Sequence, residues 1–159
     1  MAIYMKLGSA TGDVTEAGHT QWIELLNARW SMSRTIRSAV GVGNNRESTS
    51  AYVSELTVEK LIDSASSNIA QNAFVGEAQT CTVEFTRVDK GQEAVFRSIA
   101  LTDTIISGLT NHAQGTNRPV EVLTLNFTQI AITDNDESVM GANAGSSTVT
   151  YDLTRAQTS

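Results

Sequence analysis

The most informative alternating pattern in the sequence, GHTQWIELLNARWSMSR, extends from Gly18 to Arg34. From Asn27 to Ser33 its odd positions carry polar side chains and its even positions carry apolar ones. A period of two over such a run predicts one long strand with a buried face and a solvated face. The side chains expected on the buried face are Trp22, Leu26, Ala28, Trp30 and Met32.

Composition limits the class of protein. The chain has 159 residues, which suits a single domain over residues 1–159. Its net charge is -6 and its Lys and Arg residues are not clustered, which argues against general affinity for nucleic acid or anionic lipid. The first residues lack the features of a signal peptide, and no apolar run is long enough to cross a bilayer. We therefore expect synthesis in the cytoplasm, with any export by another route.

Most of the remaining chain reads as strands. Short alternating runs are predicted at 3–7, 51–62, 80–89, 94–109, 119–134 and 148–156, with a hairpin turn at 89–92. In the run at 119–134, Leu123, Leu125 and Phe127 share one face. Many short strands without a βαβ rhythm predict an antiparallel barrel or a two-sheet sandwich.

One helix is predicted at about residues 64–75. Asp63 or Ser64 can cap its start, and Gly76 suits a left-handed stop. The apolar side chains expected on its buried face are Ala65, Ile69 and Ala73, with Ala70 and Phe74 beside them.

The segment from Arg37 to Ser50 is rich in glycine and polar residues and is too long for an ordinary hairpin turn. Loops of this length within a domain are usually functional or mobile. A loop of this kind is therefore expected between the second and third strands.

Chemistry-bearing residues are few. His19 and His112 both stand beside turn residues and lack the other ligands that a metal site needs at defined spacing, so no metal site and no cofactor is predicted. Cys81 lies between threonines on the apolar face of a strand, which favours a buried structural thiol. No internal disulfide is possible with one cysteine.

Two loop motifs resemble ligand sites only superficially. Asp134, Asp136 and Glu137 lack the turn glycine and the distal glutamate of a calcium loop. The GVG at 41–43 lacks the Lys-Ser/Thr of a phosphate loop. Since no set of residues forms a recognisable active site, the chain is predicted not to be an enzyme.

Three blocks in order resemble the haemolysin-coregulated protein (Hcp) family of bacterial type VI secretion systems. The first block is carried by His19, Ile23, Glu24, Leu25, Trp30 and Ser33. The second is carried by Leu56, Lys60, Asp63, Ser66 and Gly76. The third is carried by Thr124, Leu125, Asn126, Phe127 and Ile130, and VTYDLTRAQ at 149–157 fits the last strand.

The resemblance implies a two-sheet antiparallel β-barrel with one flanking helix, similar to phage tail-tube proteins. It also implies a homo-oligomer, in which hexameric rings stack into the inner tube of the secretion machine. The tube would carry effector proteins in its lumen, bear a spike protein at its tip, be surrounded by a sheath and be secreted. The resemblance implies no catalysis, no nucleic acid partner and no membrane insertion.

Site residues follow from placing the sequence pattern in such a ring. The polar face of the second strand supplies the lumen or effector-binding candidates Asn27, Arg29, Ser31 and Ser33. The long loop supplies the ring-stacking candidates Ala39, Val40, Val42, Asn44, Asn45, Arg46 and Glu47. Candidates for core or subunit interface are Trp22, Leu26, Trp30 and Phe127.

Two alternatives remain open at this point. One is a major tail-tube protein of a phage or phage-like particle, which would have a related fold. The other is a small-molecule-binding β-barrel, which would need a large apolar interior and usually more than the 6% of aromatic residues found here.

Overall fold

Fourteen strands and one helix make up the secondary structure of the computed structural model, which describes residues 1–38, 46–89, 91–135 and 145–159. The helix is α1 (Ser66–Val75). The strands are β1 (Ala2–Leu7), β2 (Ile23–Glu24), β3 (Asn27–Arg29), β4 (Met32–Ser33), β5 (Ile36–Ser38), β6 (Arg46–Ser48), β7 (Tyr52–Val53), β8 (Leu56–Leu61), β9 (Gln79–Asp89), β10 (Gln92–His112), β11 (Val120–Asn126), β12 (Gln129–Asn135), β13 (Ser146–Asp152) and β14 (Gln157–Thr158).

In the described part of the chain, the body contains two sheets. The first comprises β1, β2, β9, β12, β13 and β14, and the second comprises β3, β8 and β11. The 21-residue strand β10 belongs to both. Its first half pairs with β9 and β12, and its second half pairs with β11. The strand turns at Asp103, which has a φ of 50° and lies where the ladder with β9 is irregular. The Thr128 hydroxyl donates a hydrogen bond to the Asp103 carboxylate at 3.1 Å, which supports this corner.

A second corner lies at Leu25 and Leu26. The Leu25 amide donates to the Ile3 carbonyl of β1, whereas the Leu26 amide donates to the Glu59 carbonyl of β8. β2 therefore pairs with β1 in the first sheet, and β3 pairs with β8 in the second. The strands therefore surround the core. At this corner, however, the two sheets are joined by the covalent backbone between Leu25 and Leu26 and not by strand pairing. The predicted two-sheet antiparallel barrel with one helix is confirmed in this form.

Rows of directly opposed side chains fill the interior, as antiparallel register requires. One row crosses the first sheet through Leu7, Cys81, Leu101, Ile130 and Tyr151. The facing sheet contributes Leu56, Val58, Leu123 and Leu125. Cys81 is buried in the row of the first sheet, as predicted, and burial raises the pKa of its thiol to about 12.

The single long strand predicted within 18–34 is wrong. The segment is divided into β2, β3 and β4, and its buried side chains are His19, Ile23 and Leu25. Leu26 and Met32 are 55% and 57% exposed. The cause is the corner between Leu25 and Leu26, where the chain changes sheets. The corner changes which alternate positions face inward: Ile23 and Leu25 face the core before it, whereas Ala28 and Trp30 pack against the core after it. Met32 lies farther along, on β4.

Other predicted strands are also shorter than expected or divided. The run at 51–62 is divided into β7 and β8, and the run at 119–134 into β11 and β12, although Leu123, Leu125 and Phe127 are all buried as predicted. The closing strand ends at Asp152. The long loop predicted at 37–50 is wrong at both ends, because β5 pairs with β6 in the register Ile36 opposite Ser48.

The predicted helix is confirmed as α1. The Ala65 amide donates to the Asp63 carboxylate at 3.0 Å, and Gly76 stops the helix with a φ of 72°. Ile69 is fully buried, but Phe74 is 91% exposed, so the prediction that it lies beside the apolar face is wrong. Five positions rotate a side chain by about 140° around a helix of 3.6 residues per turn, which carries Phe74 away from Ile69.

A buried ionic network joins α1 to the second sheet. Lys60 is 0% exposed and lies directly opposite Glu121 in the ladder between β8 and β11. Its Nζ lies 2.8 Å from a carboxylate oxygen of Glu121 and 2.8 Å from one of Asp63. The Ser66 hydroxyl donates to Glu121 at 2.7 Å. These contacts fix the first turn of the helix over one end of the core.

Replacing Lys60 by Met should destabilise the protein by about 3–5 kcal/mol, because the Glu121 carboxylate would remain buried without a cation. Arg97→Met is the matched control, since its partner Asp134 is exposed and the pair should contribute only about 0–1 kcal/mol. Urea unfolding at one fixed protein concentration measures both changes. Equal losses for the two variants would contradict this account of the network.

Candidate functional site

A two-stranded arm leaves the body of the protein at Ser31 and returns at Ser54. It comprises residues 31–38 and 46–54, with β4 paired to β7 and β5 paired to β6. The Ser31 amide donates to the Ser54 hydroxyl at 2.8 Å, and the Ser54 amide donates to the Ser31 carbonyl at 2.8 Å. Within the described ranges, the strands of the arm pair only with each other. The arm is therefore a ribbon separate from the two sheets.

The arm carries apolar side chains into solvent. Met32, Ile36 and Tyr52 are all among the exposed large hydrophobic residues, and Tyr52 is 69% exposed. An isolated two-stranded ribbon is marginally stable in water, and exposed apolar groups mark contact surfaces. Both properties favour burial of the arm against another surface.

A cleft of about 760 Å³ lies at the base of the arm. Trp30 lies in its wall and also packs against the core, so this side chain is partly buried. The Tyr151 hydroxyl donates to the Ala51 carbonyl at 3.4 Å and joins the arm to β13. Other residues around the cleft are Arg29, Tyr52, Val53, Glu55, Asn126 and Leu153.

All four lumen candidates are exposed. Asn27 and Arg29 lie on β3, Ser31 lies at the base of the arm, and Ser33 lies on β4. They do not share one continuous strand, because the segment is divided at residues 30 and 31. The structure thus brings them together as a polar strip that leads from the second sheet onto the arm.

The residues predicted for core or interface separate into different environments. Phe127 lies in the core, while Trp22 and Trp30 are partly buried. Leu26 is exposed, so it does not belong to the core of the protomer, and its interface role remains a prediction. Of the ring-stacking candidates, Ala39, Val40, Val42, Asn44 and Asn45 lie outside the described residues. Arg46 and Glu47 begin β6.

A cluster that the sequence patterns did not predict surrounds His19. This side chain is 4% exposed, although its place beside turn residues suggested a loop histidine. Its Nδ1 lies 2.7 Å from Glu16 and its Nε2 lies 2.7 Å from Glu84. The imidazole packs against the ring of Tyr4 at a centroid distance of 4.5 Å and against Trp22 at 4.9 Å. Glu84 is 65 positions away in sequence, so no local signal indicated this contact.

Glu93 completes the cluster. It accepts hydrogen bonds from the Tyr4 hydroxyl at 3.2 Å and the Thr86 hydroxyl at 3.1 Å. Atoms of Glu16, His19 and Glu93 that could act as metal ligands lie within 4.8 Å of one another. Because both imidazole nitrogens already contact carboxylates, the geometry fits a doubly protonated histidine better than a metal ligand.

Burial and the neighbouring carboxylates oppose each other in their effect on the pKa of His19 but act in the same direction on the pKa of Tyr4. Burial alone would lower the pKa of His19, but its hydrogen bonds to Glu16 and Glu84 outweigh this effect and raise the pKa above 6.5. Burial and the hydrogen bond to Glu93 raise the pKa of Tyr4 to about 12. The cluster therefore contains a phenol that is neutral at neutral pH and an imidazole whose charged form is stabilised by two carboxylates.

None of the described helical segments has the length and apolar character needed to traverse a lipid bilayer.

Residues 4–133 match the family model described as "Type VI secretion system effector, Hcp". A solved protein described as "Structure of a type six secretion system protein" is 22% identical, with a TM-score of 0.88 and 99% coverage of both chains. Hcp1 from Salmonella typhimurium is 20% identical, with a TM-score of 0.77 and coverage of 99% of this chain and 97% of that one. A type VI secretion system effector from Yersinia pestis is 20% identical, with a TM-score of 0.72 and coverage of 94% and 98%.

A comparison with curated proteins found no match. At these identities the solved structures show a shared fold, while the family match extends over most of the chain. The match includes the three blocks that carry His19, Lys60 and Phe127. On these grounds the protein belongs to the Hcp family, the tube proteins of type VI secretion systems.

Proposed function

We propose that this chain is the repeating subunit of hexameric rings that stack into the inner tube of a type VI secretion system. The tube is secreted and carries effector proteins in its lumen. The observation that carries the proposal is the arm, a ribbon with exposed Met32, Ile36 and Tyr52 whose strands pair only with each other in the part of the chain that the structure describes. Family membership supports a tube subunit, and the arm supplies a surface that only assembly would cover.

Assembly would stabilise the two-stranded arm. A single ribbon has little stability of its own. In a ring, each subunit presents the same arm to a neighbour, so contacts that are weak individually add together as avidity. The segment 39–45 between β5 and β6, with Ala39, Val40 and Val42, would contact the next ring of the stack. Arg46 and Glu47 would set the register by polar contacts.

The polar strip suits a channel wall. Its members Asn27, Ser31 and Ser33 are uncharged, and Arg29 is its one cation. Charged residues are only 18% of the chain, so a lumen built from it would carry a weak field. Cargo of varied sequence would then be neither repelled nor held tightly.

The remaining partners follow from the same role. A spike protein would sit on the last ring and a sheath would surround the tube. The subunit would be made in the bacterial cytoplasm, leave through the machine, act without catalysis and need no nucleic acid or membrane insertion. A small-molecule-binding barrel is disfavoured, because side chains such as Leu56, Leu101 and Leu125 fill the interior between the sheets.

The purified protein should form rings with a mass about six times the 17.0 kDa of one chain. The physical reason is burial of the exposed apolar side chains of the arm. Light scattering at micromolar concentration measures the mass. A monodisperse monomer under these conditions would refute the ring.

Replacing residues 39–45 by a Gly-Ser linker of equal length should leave rings intact but abolish tube formation and secretion. The contacts between rings would be lost, while the body and base of the arm would remain. The same replacement at 113–117, an exposed loop elsewhere, is the control. Electron microscopy and secretion from cells give the readouts. Normal secretion by the arm variant would exclude a stacking role.

Ser31→Gln should preserve rings but reduce recovery of a co-expressed effector, because six larger side chains would narrow the channel at one height. Ser67→Gln is the control, since Ser67 is exposed on α1. Co-purification of the effector with rings of confirmed mass measures retention. If both variants retain the effector equally, Ser31 does not line the part of the lumen that contacts cargo.

A further inference from the structure

The segment from residue 9 to residue 22, here called the cover segment, lies over the outer face of β1 and β9. Met5 and Val83 point into the core, so the alternating neighbours Tyr4 and Glu84 point to the opposite face. There they meet His19 of the cover segment. The segment is folded on itself by the Gly12 amide, which donates to the carbonyl of Gln21 at 2.9 Å.

The first part of this segment is held by Ala10, which is buried in the core, and by the hydrogen bonds of Asp13 with Ser64. Its middle, by contrast, is held to the first sheet by His19 among the described residues. The described backbone hydrogen bonds of Gly12, Val14 and Gln21 lie within the segment or at its end beside Trp22. At its other end, the Thr11 carbonyl accepts a hydrogen bond from Ser64 at the start of α1. The link between the middle of the segment and β9 is the contact from His19 to Glu84.

That link depends on the charge of the imidazole. A doubly protonated ring donates through both nitrogens, which satisfies Glu16 and Glu84 together. A neutral ring has one donor and one acceptor, so one of its nitrogens would face a carboxylate lone pair. The titratable groups that face the ring are Glu16 from its own segment, Tyr4 from β1, Glu84 from β9 and Glu93 from β10, and Glu24 of β2 lies opposite Tyr4.

We propose that His19 is a protonation-controlled clasp, which holds the cover segment on the first sheet while its imidazole is charged and releases the segment when the imidazole is neutral. The regulating ligand is therefore the proton. Release exposes Tyr4 and uncovers the carboxylates of Glu84 and Glu93 on the surface of the subunit. This inference concerns the single chain and does not depend on the ring or the tube.

The direction of the pH response follows from the raised pKa of His19. The contribution of the clasp is complete below pH 6.5, the ordinary value, and is lost as pH rises through the higher value of the folded state. In that interval the opening constant should rise by up to about tenfold per pH unit, since one proton is released. Hydrogen bonds from the Gly18 amide and from His19 lower the pKa of Glu16 below 4.5, so acid weakens the clasp only below that value.

Hydrogen exchange of the full-length protein tests the clasp between pH 6 and pH 9. After correction for intrinsic exchange, protection of the Gly12, Val14 and Gln21 amides should fall with pH and then level off. Protection of Val58 and Leu123, in the second sheet, should stay constant. His19→Gln should remove the pH dependence and leave the three amides weakly protected, whereas His112→Gln, which changes the exposed histidine, should behave like the unchanged chain.

Nuclear magnetic resonance titration gives a second measurement. In the His112→Gln background only His19 remains, and its imidazole should titrate above pH 6.5. Glu84→Gln should lower this midpoint. A midpoint at or below 6.5, or protection of the cover segment that does not change with pH, would overturn the proposal. Loss of protection on adding EDTA at pH 6 would also overturn it, because a metal ion would then hold the segment.

Discussion

Among the described residues the chain passes between the sheets at Leu25 and Leu26, through α1, at Asp103 and between β11 and β12. The crossings at Asp103 and at Leu25 and Leu26 set the arrangement of the strands around the core. At Asp103 the crossing occurs within one strand, so β10 pairs with β9 and β12 before the corner and with β11 after it. At Leu25 and Leu26 successive amides bond to different sheets. These two points enclose the core without a hydrogen-bonded ladder all the way round. They also set the direction in which the segment after Arg29 leaves the body as the arm.

Burial and exposure divide the protein into parts with different roles. The Lys60 network is closed to water and fixes the helix on the body, so its charges act on stability. The arm is open to water, and in the described part of the chain its strands pair only with each other. Its exposed apolar side chains are therefore available for association. The His19 cluster lies between these extremes, because its carboxylates are partly exposed and can exchange protons with solvent. Exposure to water therefore distinguishes the three sites: the Lys60 network stabilises the fold, the arm is available for association, and the His19 cluster can exchange protons.

Much of the fold could be predicted from alternation and turn chemistry. The hairpin at 89–92, the left-handed stop at Gly76 and the burial of Leu123, Leu125 and Phe127 depend on neighbours in sequence, and the structure confirms them. The error at Leu26 has a different origin. Alternation gives the side of a strand on which a residue lies, but it does not show where the chain changes sheets. The sequence also gave no indication that Glu84 would meet His19, since their contact depends on the pairing of β1 with β9. The surfaces of a ring could be proposed only from resemblance to the Hcp family.

The shared strand β10 has a mechanical consequence. With 21 residues at about 3.3 Å each, its contour is about 70 Å, and it is hydrogen-bonded to a neighbour in each sheet. A pull along this strand loads many hydrogen bonds in shear at the same time, whereas a pull across it would open them one after another. The subunit should thus resist stretching along β10 far more than peeling of an edge strand such as β14. In the tube proposed above, such directional stiffness would keep each subunit folded while force passes through it.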